Sequence, residues 1–178
     1  ERMQRAMAAW QSTGMFVGTD ALVVTLADGC LTTANRYSEG GNAERGRLLA
    51  IGLAAVERWI GPYVPCGQGY QAELHRVRGE LLLARDGLAA AEEALACFQK
   101  GCQIGAKQGA LAWELRTTMS LVCLRERQGD GYTAELAEAR QRLREVYGRF
   151  TEGFDFPDLQ DAAALIGNHP CQGIGETQ

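Results

Sequence analysis

The chain has 178 residues, with 18 Lys and Arg against 22 Asp and Glu, and a formal net charge of −4. That length is enough for one domain with a sizeable core, and a hydrophobic share of 46% argues against disorder. The acidic balance removes the electrostatic case for nucleic acid as a partner. No apolar run approaches the roughly 18 residues that a membrane span needs, so no membrane partner is expected either.

The chain opens ERMQ, without an initiator Met and without a charged segment leading into an apolar one. It is expected to be a piece of a longer protein. Apolar residues then recur at spacings of three and four. Leu74, Val77, Leu81 and Ala84 make one stripe, Leu95, Phe98 and Cys102 another, and Leu136, Ala139, Leu143, Val146 and Phe150 a third. Each stripe is one face of an amphipathic helix. The β-looking run ALVVTL at 21–26 follows Thr19-Asp20, an N-cap signal, and continues without a turn to Ala34. It predicts a buried helix.

Glycines and prolines mark where the helices stop. They predict helices over 1–13, 18–34, 43–60, 70–86, 89–107, 110–128, 132–149 and 156–166. Asn42 is a further N-cap signal, and GPYVPCGQG at 61–69 is a loop. The fold class is all-α: a right-handed α-α superhelix, a solenoid of helical hairpins over 1–166, with a tail over 167–178. The helix at 110–128 is apolar on two sides, so an interior place in the stack is expected. The helix at 70–86 keeps Glu73, Arg76 and Glu80 off its apolar stripe and is expected to show them to solvent or a partner.

A trio of small, larger and core residue repeats on every second helix. It reads Ala6/Trp10/Thr13, Gly46/Ala50/Leu53, Ala94/Phe98/Gly101 and Ala139/Leu143/Val146. The first positions stand 40, 48 and 45 residues apart. Fixed spacing within a helix and loose spacing between helices suit stacked hairpins, in which the small residue lets two helices approach.

These trios, with LVCLRERQGD at 121–130, resemble the tetratricopeptide repeat. AELHRVRGELLLA at 72–84, AWELRTTMSLVCL at 112–124 and EVYGRFTEGFDFPDLQDAAAL at 145–165 resemble the C-terminal repeat region of large bacterial regulators. Such proteins join a cyclase-like, kinase or DNA-binding module to an ATPase and then to helical repeats. The resemblance covers most of the chain from about Gly46 onward. His75, Arg125 and the extra turn at Gly131-Tyr132-Thr133 depart from the repeat pattern. The resemblance implies regulation and protein contact by this segment, with any ATPase or cyclase chemistry lying elsewhere in the parent chain.

The reactive residue types support the same expectation. Ser12, Ser38 and Ser120 lack a GxSxG elbow, and His75 and His169 stand outside any motif that would pair with them. Cys97 and Cys102 are five apart, on related faces of a helix but not at i,i+4, and core packing is expected of them. All six cysteines are expected to be free thiols in a reducing cytoplasm. Asp155, Asp158 and Asp161 lack the glycine turns of a calcium loop, and Pro157 suits a first helical turn. Asp155 is expected to cap that turn, with Phe150, Phe154 and Phe156 anchoring it. Arg140, Arg142, Arg144 and Arg149, interleaved with Glu135, Glu138 and Glu145, read as a solvated helix face with pairs along the helix. Trp113-Glu114-Leu115-Arg116 reads as a buried Trp beside a surface ion pair. No catalytic, cofactor or metal residue is expected, and the chain is not expected to be an enzyme.

The expected function is therefore a non-catalytic scaffold that passes a regulatory signal through protein contacts. The alternative is a helical-repeat sensor whose concave face takes a small effector, as in maltose-type activators. Arg76, Glu80 and Arg116 are the expected contact residues. The partner is a protein or another domain of the parent chain, and the uncovered apolar side of helix 1–13 predicts self-association.

Overall fold

The computed structural model describes residues 19–37, 43–60 and 68–167. Every regular element among them is helical: α1 (Thr19–Asn35), α2 (Ala43–Glu57), α3 (Gln71–Asp86), α4 (Ala91–Gln108), α5 (Leu111–Gln128), α6 (Thr133–Tyr147) and α7 (Pro157–Ile166). The run at 21–26 lies inside α1, as its N-cap signal predicts. The expected helix 1–13, the Asn42 cap and residues 168–178 of the tail lie outside the described residues, as does most of the 61–69 loop.

The helix stops have a backbone cause. Gly87, Gly109 and Gly129 follow α3, α4 and α5 with φ of 60°, 66° and 79°. That region is costly for a residue with a Cβ, so these three positions end the helices where the sequence places glycine.

Packing is serial. Each helix leans on the one before it, and α1 also packs on α3, α3 on α5, and α5 on α7. The odd-numbered helices thus form a continuous row, with the even-numbered helices set against it. One apolar cluster spans α1, α2 and α3. A second spans α4 to α7, and they meet where Leu83 of α3 and Ala90 and Cys97 at α4 change sides. In α5, every residue from Thr117 to Leu124 is buried, which requires neighbours on all sides.

The even helices repeat in a register the trios catch only in part. Ala94/Phe98/Gly101 and Ala139/Leu143/Val146 are all buried. In α2, however, Gly46 and Ala50 are exposed, and the buried residues are Leu49, Gly52, Leu53 and Val56, of which Leu49, Leu53 and Val56 keep the spacing of the trio. Ala94 stands 45 residues after Leu49, and Ala139 stands 45 after Ala94. The true repeat is thus offset by three residues in α2, and its period is constant.

Close approach is carried by glycines facing the odd row. A methyl group on Gly101 of α4 would lie 2.9 Å from the Ala72 carbonyl oxygen of α3 and 3.0 Å from Thr117 Cγ2 of α5. One on Gly52 of α2 would lie 3.0 Å from Leu81 of α3 and 3.3 Å from Cys30 of α1. In each case an even helix is wedged between two successive odd helices at a residue without a side chain. At Gly79 the space is filled by the Phe98 ring, which is fully buried.

The last turn differs from expectation. Pro157 occupies the first turn of α7, but Asp155 gives no side-chain cap. Its backbone carbonyl instead accepts Gln160 Nε2 at 3.2 Å. Leu159, Ala162 and Leu165 face the stack. Phe154 and Phe156 are exposed rather than anchoring, and only Phe150 packs at the core margin. Phe154 rests against Tyr147, with ring centroids 5.8 Å apart.

Candidate functional site

Three odd helices each carry a strip of mainly polar residues on one side. Spacings of three and four put Thr25, Asp28 and Thr32 on one side of α1, Glu73, Arg76 and Glu80 on one side of α3, and Trp113, Arg116 and Ser120 on one side of α5. Ionic contacts then tie the strips together across the row. Arg76 donates to Glu73 through Nε at 2.9 Å and Nη2 at 2.8 Å, and through Nη2 to Asp28 Oδ1 at 3.2 Å. Arg116 Nη1 reaches Glu73 Oε1 at 2.7 Å. Its other nitrogens face Asp28 at 3.9 Å and Asp158 of α7 at 3.8 Å. One network therefore touches all four odd helices.

The burial of these groups is layered. Glu73 and Arg76 have side-chain exposures of 0% and 2%, Arg116 has 24%, and Asp28 and Asp158 have 36% and 53%. The Glu73 carboxylate and the two guanidinium groups sit inside, and the Asp28 and Asp158 carboxylates sit outside. An ion buried this deeply is tolerated only when its hydrogen bonds are met. The forked contact of Arg76 with Glu73 meets that condition. Burial opposes the charge on Arg76, but the Glu73 carboxylate, with Asp28 and Glu80 behind it, outweighs burial and holds the guanidinium above its ordinary value. Trp113 borders the network: Arg116 lies 5.7 Å from its ring centroid, and Tyr70 tilts against it at 5.7 Å.

Two of the three expected contact residues meet here, though not in the expected way. Arg76 and Arg116 converge on Glu73, and Glu80 acts on Arg76 through its charge. Arg76 and Glu73 were expected to face solvent on α3 and are instead buried. The reason is that α1 and α5 pack on either side of α3 and bring Asp28 and Arg116 over them. Sequence reasoning missed Asp28 and Asp158 as members. The i,i+3 spacing of Glu73 and Arg76 is the one local signal of the network.

A second ionic centre lies between α5 and α6. Glu114, with a side chain 6% exposed, accepts Arg149 Nη1 at 2.7 Å and has Arg142 at 4.0 Å. Arg140 pairs with Glu126 of α5 at 2.7 Å. Arg140 and Arg142 of α6, and Arg149 just after it, thus bridge to α5 rather than pairing along their own helix as expected, while Arg144 does pair along it, donating to Gln141 Oε1 at 3.1 Å. Gln141 and Glu145 do make an i,i+4 contact, at 3.0 Å. Glu114 and Arg116, read as one surface pair, serve different networks. Around Glu114, Glu138, Gln141, Arg142, Glu145, Val146 and Arg149 line an open groove of about 530 Å³.

Among the described residues, the cysteines and Ser120 are buried and His75 is half-buried. Burial pushes the Cys30, Cys97 and Cys102 thiols up, and at Cys97 it prevails over the Arg78 guanidinium donating to Sγ at 2.9 Å. His75 is pushed down to about 4, first by burial and then by the charges of Lys100 and Arg78. The expectation of six free thiols fails at Cys123, which is disulfide-bonded. The inference of a reducing compartment from free thiols falls with it. Ser120 is buried, with an Oγ that has no hydrogen-bond partner among the described residues. Among the described residues no group of three or more His, Cys, Asp or Glu is placed to hold a metal ion. None of the described helices is long and apolar enough to cross a membrane.

No protein-family model, curated protein or solved structure matches the chain.

Proposed function

We propose that this chain is a non-catalytic protein-interaction module with a tetratricopeptide-like superhelical stack, serving as a regulatory scaffold in a bacterial signalling or transcriptional regulator. The observation that carries the reading is the ionic strip shared by α1, α3, α5 and α7. A row of helices spaced by glycine contacts and aligned by buried arginines holds side chains at fixed intervals over several turns. An extended partner segment is recognised by such a row, because each helix offers one set of contacts along its length. The 45-residue period of the even helices is the spacing of hairpin units in series. The bacterial setting and the parent chain rest on the sequence resemblance.

Selection from a displayed library of proteome-derived peptides tests this reading. The proposal expects enriched peptides whose affinity changes about tenfold or more when Arg116→Ala opens the strip. Enriched peptides indifferent to that substitution, or no enrichment at all, would count against it. The groove beside Glu114 favours the second reading, a site for a small effector, since its volume suits a compact polar molecule. Thermal shift against a metabolite panel, compared with Arg142→Ala, separates the two.

A further inference from the structure

Resting on the scaffold reading, we infer that the odd-helix strip docks a basic partner segment, an extended peptide bearing Lys or Arg. The inference comes from the order of charge with depth. The network and Glu80 bring four carboxylates, Asp28, Glu73, Glu80 and Asp158, against two guanidiniums, Arg76 and Arg116. The inner members are the Glu73 carboxylate at 0% side-chain exposure and the guanidiniums of Arg76 and Arg116 at 2% and 24%, and both guanidiniums are committed to Glu73. The outer members, Asp28 and Asp158, are 36% and 53% exposed. A partner approaching the strip therefore meets carboxylates first.

Those outer carboxylates are also incompletely used. Asp158 lies 3.8 Å from Arg116, and Asp28 Oδ2 lies 3.9 Å from it, both beyond hydrogen-bond length. Their charges are positioned while their lone pairs stay available to a donor from outside. Ser120 adds an independent sign. It lies one turn beyond Arg116 on the same strip of α5, it is 1% exposed, and its Oγ is without a partner among the described residues. A buried hydroxyl is normally paired, and an orphan beside a polar strip marks a place that a ligand or water completes. Trp113, with one side near Arg116 and Tyr70 against it, supplies an aromatic edge over which a Lys or Arg stem packs. An acidic peptide would have to displace Asp28 and Asp158 to reach Arg116, and so is disfavoured.

The test uses fluorescence anisotropy with a labelled peptide of alternating Lys and Ser, and its Glu and Ser counterpart, at low and physiological salt. The full chain is compared with Asp28→Asn/Asp158→Asn and with Glu92→Gln/Glu135→Gln. Both pairs lower the negative charge equally, but Glu92 and Glu135 are exposed on α4 and α6. The inference expects the Lys peptide to bind, and the strip variant to weaken it about five- to tenfold at low salt. The Glu92→Gln/Glu135→Gln control should leave binding within about twofold. Equal weakening by both pairs, preference for the Glu peptide, or no binding of the Lys peptide would each overturn it. None of these touches the scaffold reading, which the peptide selection with Arg116→Ala decides separately. Circular dichroism of each variant confirms that a loss is not unfolding.

Discussion

Replacing Glu73 with Ala removes the acceptor of three short contacts, from Arg76 Nε at 2.9 Å, Arg76 Nη2 at 2.8 Å and Arg116 Nη1 at 2.7 Å. Arg116 is partly exposed, so water replaces most of what it loses. Arg76 is 2% exposed and keeps only Asp28, at 3.2 Å, among the described residues. An uncompensated buried charge costs about 3–5 kcal/mol. For a chain of this size that lowers the melting temperature by roughly 6–20 °C. The decisive control removes both charges. Glu73→Leu with Arg76→Met exchanges the pair for apolar groups of similar volume and should return to within about 2 kcal/mol of the parent chain. Urea unfolding followed by the helical circular dichroism signal measures all the variants, and the double-mutant cycle gives the coupling. A loss under about 1 kcal/mol for Glu73→Ala, or simple addition of the two single losses, would refute a buried pair.

Three further outcomes follow from other parts of the fold. Gly101→Ala should destabilise by about 1–3 kcal/mol, because the new methyl meets the Ala72 carbonyl at 2.9 Å. Gly46→Ala, with nothing within 4 Å, should stabilise by about 0.5–1 kcal/mol, and thermal melts of the two distinguish packing from helix propensity. His75 is neutral in the fold down to about pH 4, whereas the unfolded chain takes up its proton near 6.5. Its contribution is therefore complete above 6.5 and lost as pH falls toward 4. Discounted for partial exposure, the parent chain should lose about 1 kcal/mol more than His75→Gln between pH 7 and 5. The Cys30, Cys97 and Cys102 thiols, buried and pushed up, should resist alkylation until urea unfolds the chain, as peptide mapping would read.

Much of the helical framework is legible because it rests on local causes. The stops at Gly87, Gly109 and Gly129 follow from backbone freedom at those residues, and the two-sided apolar pattern of 110–128 places α5 in the interior. The register of α2 is not legible, because Gly46 and Gly52 are the same residue type and only the positions of Leu81 and Cys30 select Gly52 for contact. Burial of Glu73 and Arg76 is hidden for a related reason. A charged i,i+3 pair reads as a solvated face until α1 and α5 are known to bring Asp28 and Arg116 over it. The aromatics of the final turn mislead in the opposite sense. Phe154 and Phe156 carry large apolar surface, yet the described helices offer them nothing beyond Tyr147 and the edge of α7.

The aligned row of odd helices, on which the docking surface depends, is tested most directly by nitrogen-15 spectra of the arginine side chains at neutral pH. Arg76 should give a sharp, slowly exchanging Nε–H signal that survives where exposed Arg47 is lost to water, and Glu73→Gln should speed its exchange. An Arg76 signal exchanging as fast as that of Arg47 would contradict the account.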